Sequence, residues 1–315
     1  MNITILGGGS WGTALAVHLA GQGHLVNIWE FFEEQAREMQ ELRRCKLLPD
    51  VVLSSSITVY SQMVPALKGA ELVLLVVPSD KVETTIRAAA SFLWDQPIVI
   101  CSKGFSSDGR LLSEVVQEEV EGEVYCLYGP THAEEVGRGM FSGIVLAGNI
   151  NGAKELAKVL QNEVFKVQVC DDLIGVQICA ALKNIFAVFI GVLDGMKLGD
   201  NAKAYVMTQG LEEIKLVGEK MGAKTETFYG LACLGDLIVT CTSTHSRNRF
   251  VCQEVGKGRK LDEVLAGMSM VAEGVTAVKI AVKLQDKLGL DLPLIYGLYE
   301  ILFERKDPLS ILKSL

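Results

Sequence analysis

Near residue 170 the hydrophobic period of the chain changes, and with it the kind of structure the chain can form. Before that point short β-branched runs alternate with amphipathic stretches. Asn2 to Leu6, Leu25 to Trp29, Glu71 to Val77, Ile98 to Cys101, Val124 to Tyr128, Ile144 to Ala147 and Phe165 to Cys170 read as strands. Most are continuous apolar runs, as parallel strands covered on both faces require. Helical patterns lie between several of them, as at Thr13 to Ala20 and Gly109 to Val120. That alternation predicts a doubly wound α/β domain over residues 1–170. Beyond Cys170 the strand signal disappears. Asp171 and Asp172 are placed to cap a long apolar helix running to about Leu193. Met207, Leu211, Ile214, Val217 and Met221, then Val271, Val275, Val278 and Val282, repeat at helical spacing. Residues 171–315 are therefore expected to form an all-α domain. A chain of 315 residues is long enough for both and needs no disulfide or metal staple.

Where the first strand ends, Gly7-Gly8-Gly9-Ser10-Trp11-Gly12 fits G-x-G-x-x-G through Gly7, Gly9 and Gly12. In isolation that pattern is weak. Here it follows a strand directly, opens a helix, and is followed after a second strand by Glu30, eighteen residues beyond Gly12. Glycines there allow a tight turn and bring backbone N–H groups against a pyrophosphate, which the positive end of the helix dipole also attracts. The context specifies a Rossmann-like dinucleotide-binding domain rather than a plain glycine turn, with Gly7, Gly9, Gly12 and Glu30 as cofactor contacts. A carboxylate at the end of the second strand can accept hydrogen bonds from both ribose hydroxyls, whereas a 2′-phosphate wants a nearby Arg. Trp29-Glu30-Phe31-Phe32 stands there and the first base afterwards is Arg37, so NAD(H) is expected over NADP(H).

Composition limits the partners. A net charge of −8 opposes nonspecific binding to nucleic acid or anionic lipid, so any anionic ligand must be held locally. Cys45, Cys101, Cys126, Cys170, Cys179, Cys233, Cys241 and Cys252 never form a C-x-x-C pair. His18, His24, His132 and His245 show no helical pairing either, so no metal site is expected. Eight unpaired thiols suit a reducing, cytoplasmic setting. Met1 leads straight into a strand-like run, so no signal peptide is expected. Ile185 to Leu193, the longest fully apolar stretch in the middle of the chain, is nine residues against about twenty for a bilayer helix, so no membrane span is expected either. The 31 glycines against 7 prolines exceed the usual roughly 7% Gly and point to tight turns and close backbone approaches.

A reactive group is to be sought in the helical half. In Ala180-Ala181-Leu182-Lys183-Asn184-Ile185-Phe186-Ala187 a Lys and an Asn interrupt an otherwise apolar helix. Desolvation would lower the lysine pKa toward the range useful for proton transfer; a lysine that snorkels to water from the helix edge is the other reading. Ser102-Lys103-Gly104 and Gly129-Pro130-Thr131-His132-Ala133 both follow apolar strands, at the ends where open α/β sheets bind ligands. Gly235-Asp236 precedes Thr240-Cys241-Thr242-Ser243-Thr244-His245-Ser246-Arg247-Asn248-Arg249, whose hydroxyls, amide and guanidinium groups suit a phosphate monoester or else a solvated helix connection.

On these residues the chain resembles the NAD(P)-dependent glycerol-3-phosphate dehydrogenases of the bacterial type, over essentially its whole length. The matching blocks are Gly7 to Ala14, Val77-Pro78-Ser79, Lys103-Gly104, Gly129-Pro130-Thr131, Ala181-Leu182-Lys183-Asn184, Gly199-Asp200-Asn201-Ala202, Gly235-Asp236-Leu237 with Thr240-Cys241-Thr242, Ser246-Arg247-Asn248-Arg249, and Val271-Ala272-Glu273-Gly274. The resemblance implies reversible reduction of dihydroxyacetone phosphate to sn-glycerol 3-phosphate with NAD(P)H, feeding glycerophospholipid synthesis. It makes Lys183 the catalytic acid/base and puts substrate contacts on Lys103, Gly129, Thr131, Lys183, Asp236, Ser246, Arg247 and Asn248. Asp236 would either accept from a substrate hydroxyl or hold Lys183. Cofactor contacts are implied at Ser10, Trp11, Lys103, Ala133, Arg247, Val271 and Glu273, and a homodimer is implied as well.

The chain departs from the family pattern in two places: Phe31 and Phe32 stand where a basic residue is frequent, and Gln209 where Arg is common. The runner-up is another two-domain reductase, of the β-hydroxyacid or ketopantoate type, which would bind a carboxylate in place of the phosphate. A nonenzymatic NAD-binding sensor on the same fold would be expected to have lost the buried base, and Lys183 is present.

Overall fold

The computed structural model describes residues 1–243, 247–266 and 273–315, with backbone alone for 247–251, 265–266 and 273. The chain forms two compact units, Met1–Leu173 and Ile174–Leu315.

In the first unit the order is β1 (Asn2–Leu6), α1 (Ser10–Gly21), β2 (Leu25–Trp29), α2 (Glu33–Leu42), β3 (Ile57–Tyr60), α3 (Met63–Leu67), β4 (Leu72–Leu75), α4 (Val82–Ala89), β5 (Ile98–Ile100), α5 (Leu112–Gln117), β6 (Val124–Tyr128), α6 (Ala133–Gly137), β7 (Ser142–Ala147), α7 (Ile150–Leu160) and β8 (Phe165–Cys170). The strands form one sheet in the order β3-β2-β1-β4-β5-β6-β7-β8, the doubly wound arrangement extended by two strands. β1 to β6 are parallel. β7 runs antiparallel to β6, with β8 parallel to β7, so the expectation of parallel strands fails for this last pair. The sheet register sets Leu6 beside both Trp29 and Leu75. Gly7, Glu30 and Val76 therefore leave the sheet along one edge, and that edge is where the glycine turn is built.

β3 is absent from the sequence expectation. Its four residues alternate buried and half-buried, because an edge strand hides one face only. A search for continuous apolar runs finds the central strands and passes over ITVY. β4, by contrast, is buried at every position.

The second unit contains α8 (Leu173–Met196), which begins at its boundary, α9 (Gly199–Lys220), α10 (Asp236–Thr242), α11 (Arg247–Gly256), α12 (Leu261–Ala266), α13 (Glu273–Leu288), α14 (Pro293–Tyr299) and α15 (Pro308–Ser314), with no strand among the described residues. α8 is its core, buried without a break from Gly175 to Leu193. Each fully buried Ile, Val or Phe on it contributes about 1.5–3 kcal/mol. The nine-residue limit used above does not hold, because Gln177, Lys183 and Asn184 do not end the helix. α8 has 24 residues, and an 18-residue stretch of it with a mean hydropathy of 2.0 is long and apolar enough to cross a bilayer; 89% of that stretch is buried inside the protein, as in a core helix.

Glycines let the helices of this unit approach closely. A Cβ on Gly195 would lie 2.2 Å from Gln253 O, and one on Gly256 2.2 Å from Val192 O, so α8 and α11 cross backbone to backbone. Gly210 of α9 likewise fits against the Phe186 ring. The start of α14 is capped from α9: buried Glu213 accepts from Leu294 N at 2.6 Å and Ile295 N at 3.0 Å. Burial pushes this carboxyl up to about 7, the two amides opposing the shift.

Candidate active site

The glycine turn sits between β1 and α1. Gly7 has φ +121°, and a Cβ there would lie 2.7 Å from Val76 O. Gly12 approaches the turn so closely that its Cβ would fall 2.0 Å from Gly7 O, whereas one on Gly9 would meet nothing within 4 Å. α1 starts at Ser10 with Gly9 as its cap, no side chain on its first amides and no acidic residue in its first turn. Trp11 Nε1 is buried without a hydrogen-bond partner among the described residues. Unclaimed amides at the helix start, an uncrowded Gly9 and an orphan indole N–H fit a bound pyrophosphate group. Glu30 is 6% exposed and its carboxylate accepts from Gly8 N and Phe32 N, each at 3.1 Å.

A second cluster stands at the ends of β5 and β6. Ser102 is buried, its Oγ donating to Val77 O at 2.5 Å, and Tyr128 OH donates to Ser102 O at 2.7 Å. The backbone that carries Lys103 is thereby held. Lys103 Nζ donates to Gly129 O at 3.0 Å, and the same carbonyl accepts from Thr131 N at 2.9 Å and Thr131 Oγ1 at 3.3 Å. Lys103, Gly129 and Thr131, named separately from sequence, form one hydrogen-bonded group. Ala133, the first residue of α6, is 9% exposed.

The third cluster lies in the helical unit. Lys183 is 4% exposed on α8. Its Nζ donates to Asp236 Oδ1 at 2.5 Å and to Thr240 Oγ1 at 2.6 Å, and Thr240 Oγ1 donates in turn to Asp236 O at 2.6 Å. An ammonium this deep needs a counter-charge, and Asp236, 1% exposed, supplies it. Of the two functions open to Asp236, the structure has it holding Lys183; the lysine does not snorkel. A π-helical turn, Leu231–Gly235, leads directly into α10 and sets Asp236 and Thr240 one turn apart on one face. Thr240 was not among the residues expected to act, although its spacing four beyond Asp236 could have pointed to it. Asn184 is 7% exposed beside Lys183.

Gly274, in the last of the family-matching blocks, belongs to α13, where a Cβ would lie 2.6 Å from Asn184 O. Ser246 and Val271 lie outside the described residues, as do the side chains of Arg247, Asn248 and Glu273. Among the described residues no three His, Cys, Asp or Glu side chains cluster closely enough to hold a metal ion.

Comparison with known proteins gives the family. The profile of the NAD-dependent glycerol-3-phosphate dehydrogenase N-terminus matches residues 2–154, and that of the C-terminus matches residues 172–313. A protein of Chlorobium phaeobacteroides named glycerol-3-phosphate dehydrogenase (NAD(P)+) is 41% identical over 314 residues, covering 97% of this chain and 94% of the relative. One of the same name from Geobacillus thermodenitrificans is 44% identical over 322 residues, covering 100% and 94%. The crystal structure of glycerol-3-phosphate dehydrogenase from Coxiella burnetii matches at a TM-score of 0.94 and 35% identity, over 99% of this chain and 98% of that one. With both halves matched and full-length relatives above 40% identity, the chain belongs to the NAD-dependent glycerol-3-phosphate dehydrogenase family.

Proposed function

We propose that this chain catalyses the reversible, NAD(P)H-dependent reduction of dihydroxyacetone phosphate to sn-glycerol 3-phosphate. The observation that carries this is the buried Lys183 ammonium, fixed by Asp236 and Thr240 inside an otherwise apolar helix. When bound, NAD(P)H would supply the hydride for the substrate carbon, and NAD(P)+ would accept it in the reverse direction. Lys183 Nζ gives a proton to the ketone oxygen as negative charge builds on it, and takes one from the alcohol in the reverse direction. Asp236 and Thr240 aim the ammonium, and Lys103 adds positive charge beside the same oxygen. Gly129 and Thr131 line the substrate site, and Ser246, Arg247 and Asn248 clasp the phosphate. Ser10, Trp11, Ala133, Val271 and Glu273 complete the coenzyme contacts made by Gly7, Gly9 and Gly12.

NADH is the preferred coenzyme on this reading. Phe31 and Phe32, 70% and 63% exposed, stand where a cation would be needed for a 2′-phosphate, and buried Glu30 is an anion. A homodimer in the cytoplasm completes the proposal; all eight cysteines are free thiols, which suits a reducing compartment, and light scattering in solution tests the dimer.

The decisive experiment follows NADH oxidation with dihydroxyacetone phosphate, repeated with NADPH and with a carboxylate ketone such as ketopantoate. Turnover of the phosphate substrate is expected. Turnover of the carboxylate ketone alone would favour the runner-up reductase, and a lower KM for NADPH would overturn the coenzyme preference. Arg247→Ala should raise the KM for dihydroxyacetone phosphate by tenfold or more, about what losing a bidentate phosphate contact costs. An unchanged KM removes Arg247 from the site.

A further inference from the structure

Glu30 stands one residue beyond β2, buried at the end of the strand, with its two oxygens on different amides: Oε2 on Gly8 N and Oε1 on Phe32 N. Among the described residues no ammonium or guanidinium pairs with it. Burial holds its carboxyl above the ordinary carboxylate range, while the amides of Phe32, Gly8 and Phe31 pull the other way. The other polar group of Gly8 is also fixed, since Gly8 O accepts from Thr13 Oγ1 at 3.3 Å and from Cys45 Sγ at 3.4 Å. Gly8 and Gly9 meet opposite surroundings. A Cβ on Gly8 would lie 2.7 Å from Glu30 Oε2, whereas one on Gly9 would meet nothing within 4 Å. Glu30 thus fills the protein side of the turn and leaves the Gly9 side to the ligand.

We propose that Glu30 is a positioning residue for the coenzyme turn: its buried carboxylate latches the Gly8 amide to the end of β2 and so shapes the turn that receives the pyrophosphate, rather than accepting from the ribose hydroxyls. This rests on the coenzyme part of the function proposed above. A ribose ligand must present its oxygens to the sugar, but Oε2 of Glu30 is taken by Gly8 N in the turn and Oε1 by Phe32 N just beyond the strand. Cutting the latch leaves the Gly8 amide buried without its acceptor, a loss felt by any ligand carrying a pyrophosphate, whatever its sugar.

The test is a binding cycle by calorimetry on the full chain, with ADP and 2′-deoxy-ADP as probes, for wild type, Glu30→Ala and Glu30→Gln. The latch predicts that Glu30→Ala weakens both probes by the same factor, about tenfold. Glu30→Gln, which keeps one acceptor oxygen, recovers part of that loss. In turnover the KM for NADH rises by a similar factor. A ribose ligand behaves otherwise: wild type would discriminate against 2′-deoxy-ADP and Glu30→Ala would not. A difference of more than threefold between the two probes' losses, or undiminished ADP affinity in Glu30→Ala, overturns the proposal. Thermal melts check that the variants fold, and if Glu30→Ala does not, the Glu30→Gln arm carries the same comparison. Failure of wild type to bind ADP at all would sink the coenzyme reading and this proposal with it, a result distinct from the variant-specific outcomes.

Discussion

On the proposed function, the two units solve the problem of binding an anionic, reactive ligand in opposite ways. The sheet unit works mainly with backbone: unclaimed amides at the start of α1, the bare Gly9, and the Gly129 carbonyl that gathers Lys103 and Thr131. The helical unit works with side chains, an ion pair sealed inside an apolar bundle. Among the described residues, Lys103 is the one cationic side chain in the sheet unit's part. Backbone sites are broken by adding a methyl group and are indifferent to most side-chain chemistry. A buried ion pair has the opposite sensitivity, since losing one charge strands the other.

The largest expected effect tests the side-chain half. Lys183→Ala should lower kcat by about 10³-fold or more in the NADH assay, the scale of a lost general acid. It should also lower stability by about 3–5 kcal/mol in urea melts, because Asp236 loses the ammonium that balances its buried charge. Adding Asp236→Asn should restore much of that stability and none of the turnover. If the double variant is no more stable than the single one, Asp236 is not the counter-charge. If Lys183→Ala turns over within a few-fold of wild type, the mechanism is wrong.

Next come two glycines three residues apart. Gly12→Ala should cost about 1–3 kcal/mol of stability through overpacking against Gly7 O and weaken NADH binding with it. Gly9→Ala should leave the melting temperature unchanged while raising the KM for NADH. Equal stability losses in the two would break the contrast between the protein side and the ligand side of the turn. Thr240→Val, which keeps volume and removes the hydroxyl, is expected to lower kcat about tenfold through a misaimed ammonium; unaltered turnover would make Thr240 a packing residue.

The smallest effect is confined to pH. Glu213 has a folded pKa raised to about 7 from an ordinary 4.5, so the folded state binds its proton first as pH falls. Its contribution to stability therefore rises as pH drops from about 7 toward 4.5 and is lost again as pH climbs through 7. Melting temperatures measured across that window should slope less in Glu213→Gln than in wild type, and parallel curves would deny the shift.

Legibility in the sequence divided along similar lines. The glycine turn was readable because its parts are local: strand, turn, helix and Glu30 follow one another within thirty residues. Lys183 was readable as a polar break in an apolar helix, but its partners were not fixed, since Asp236 is 53 residues away and only the packing of α10 brings it near. Thr240 was missed because its role depends on the π-helical turn that orients α10. The packing role of Gly274 was hidden for a related reason. A glycine beside a motif looks like a loop glycine until the crossing of α13 over α8 gives it a packing duty. β3 escaped because half-buried alternation over four residues is a faint signal beside the saturated runs of the central strands.

The position of Lys183 near the middle of α8 has a consequence during synthesis. A 24-residue helix that contains an 18-residue stretch of mean hydropathy 2.0 meets, by length and composition alone, the requirement for crossing a bilayer as it emerges from a ribosome. A lysine at the centre of such a helix raises the free energy of insertion by about 2.5–3.5 kcal/mol. The charge proposed to move a proton in the finished protein thus also discourages the nascent core helix from entering a membrane before its partner carboxylate has been made.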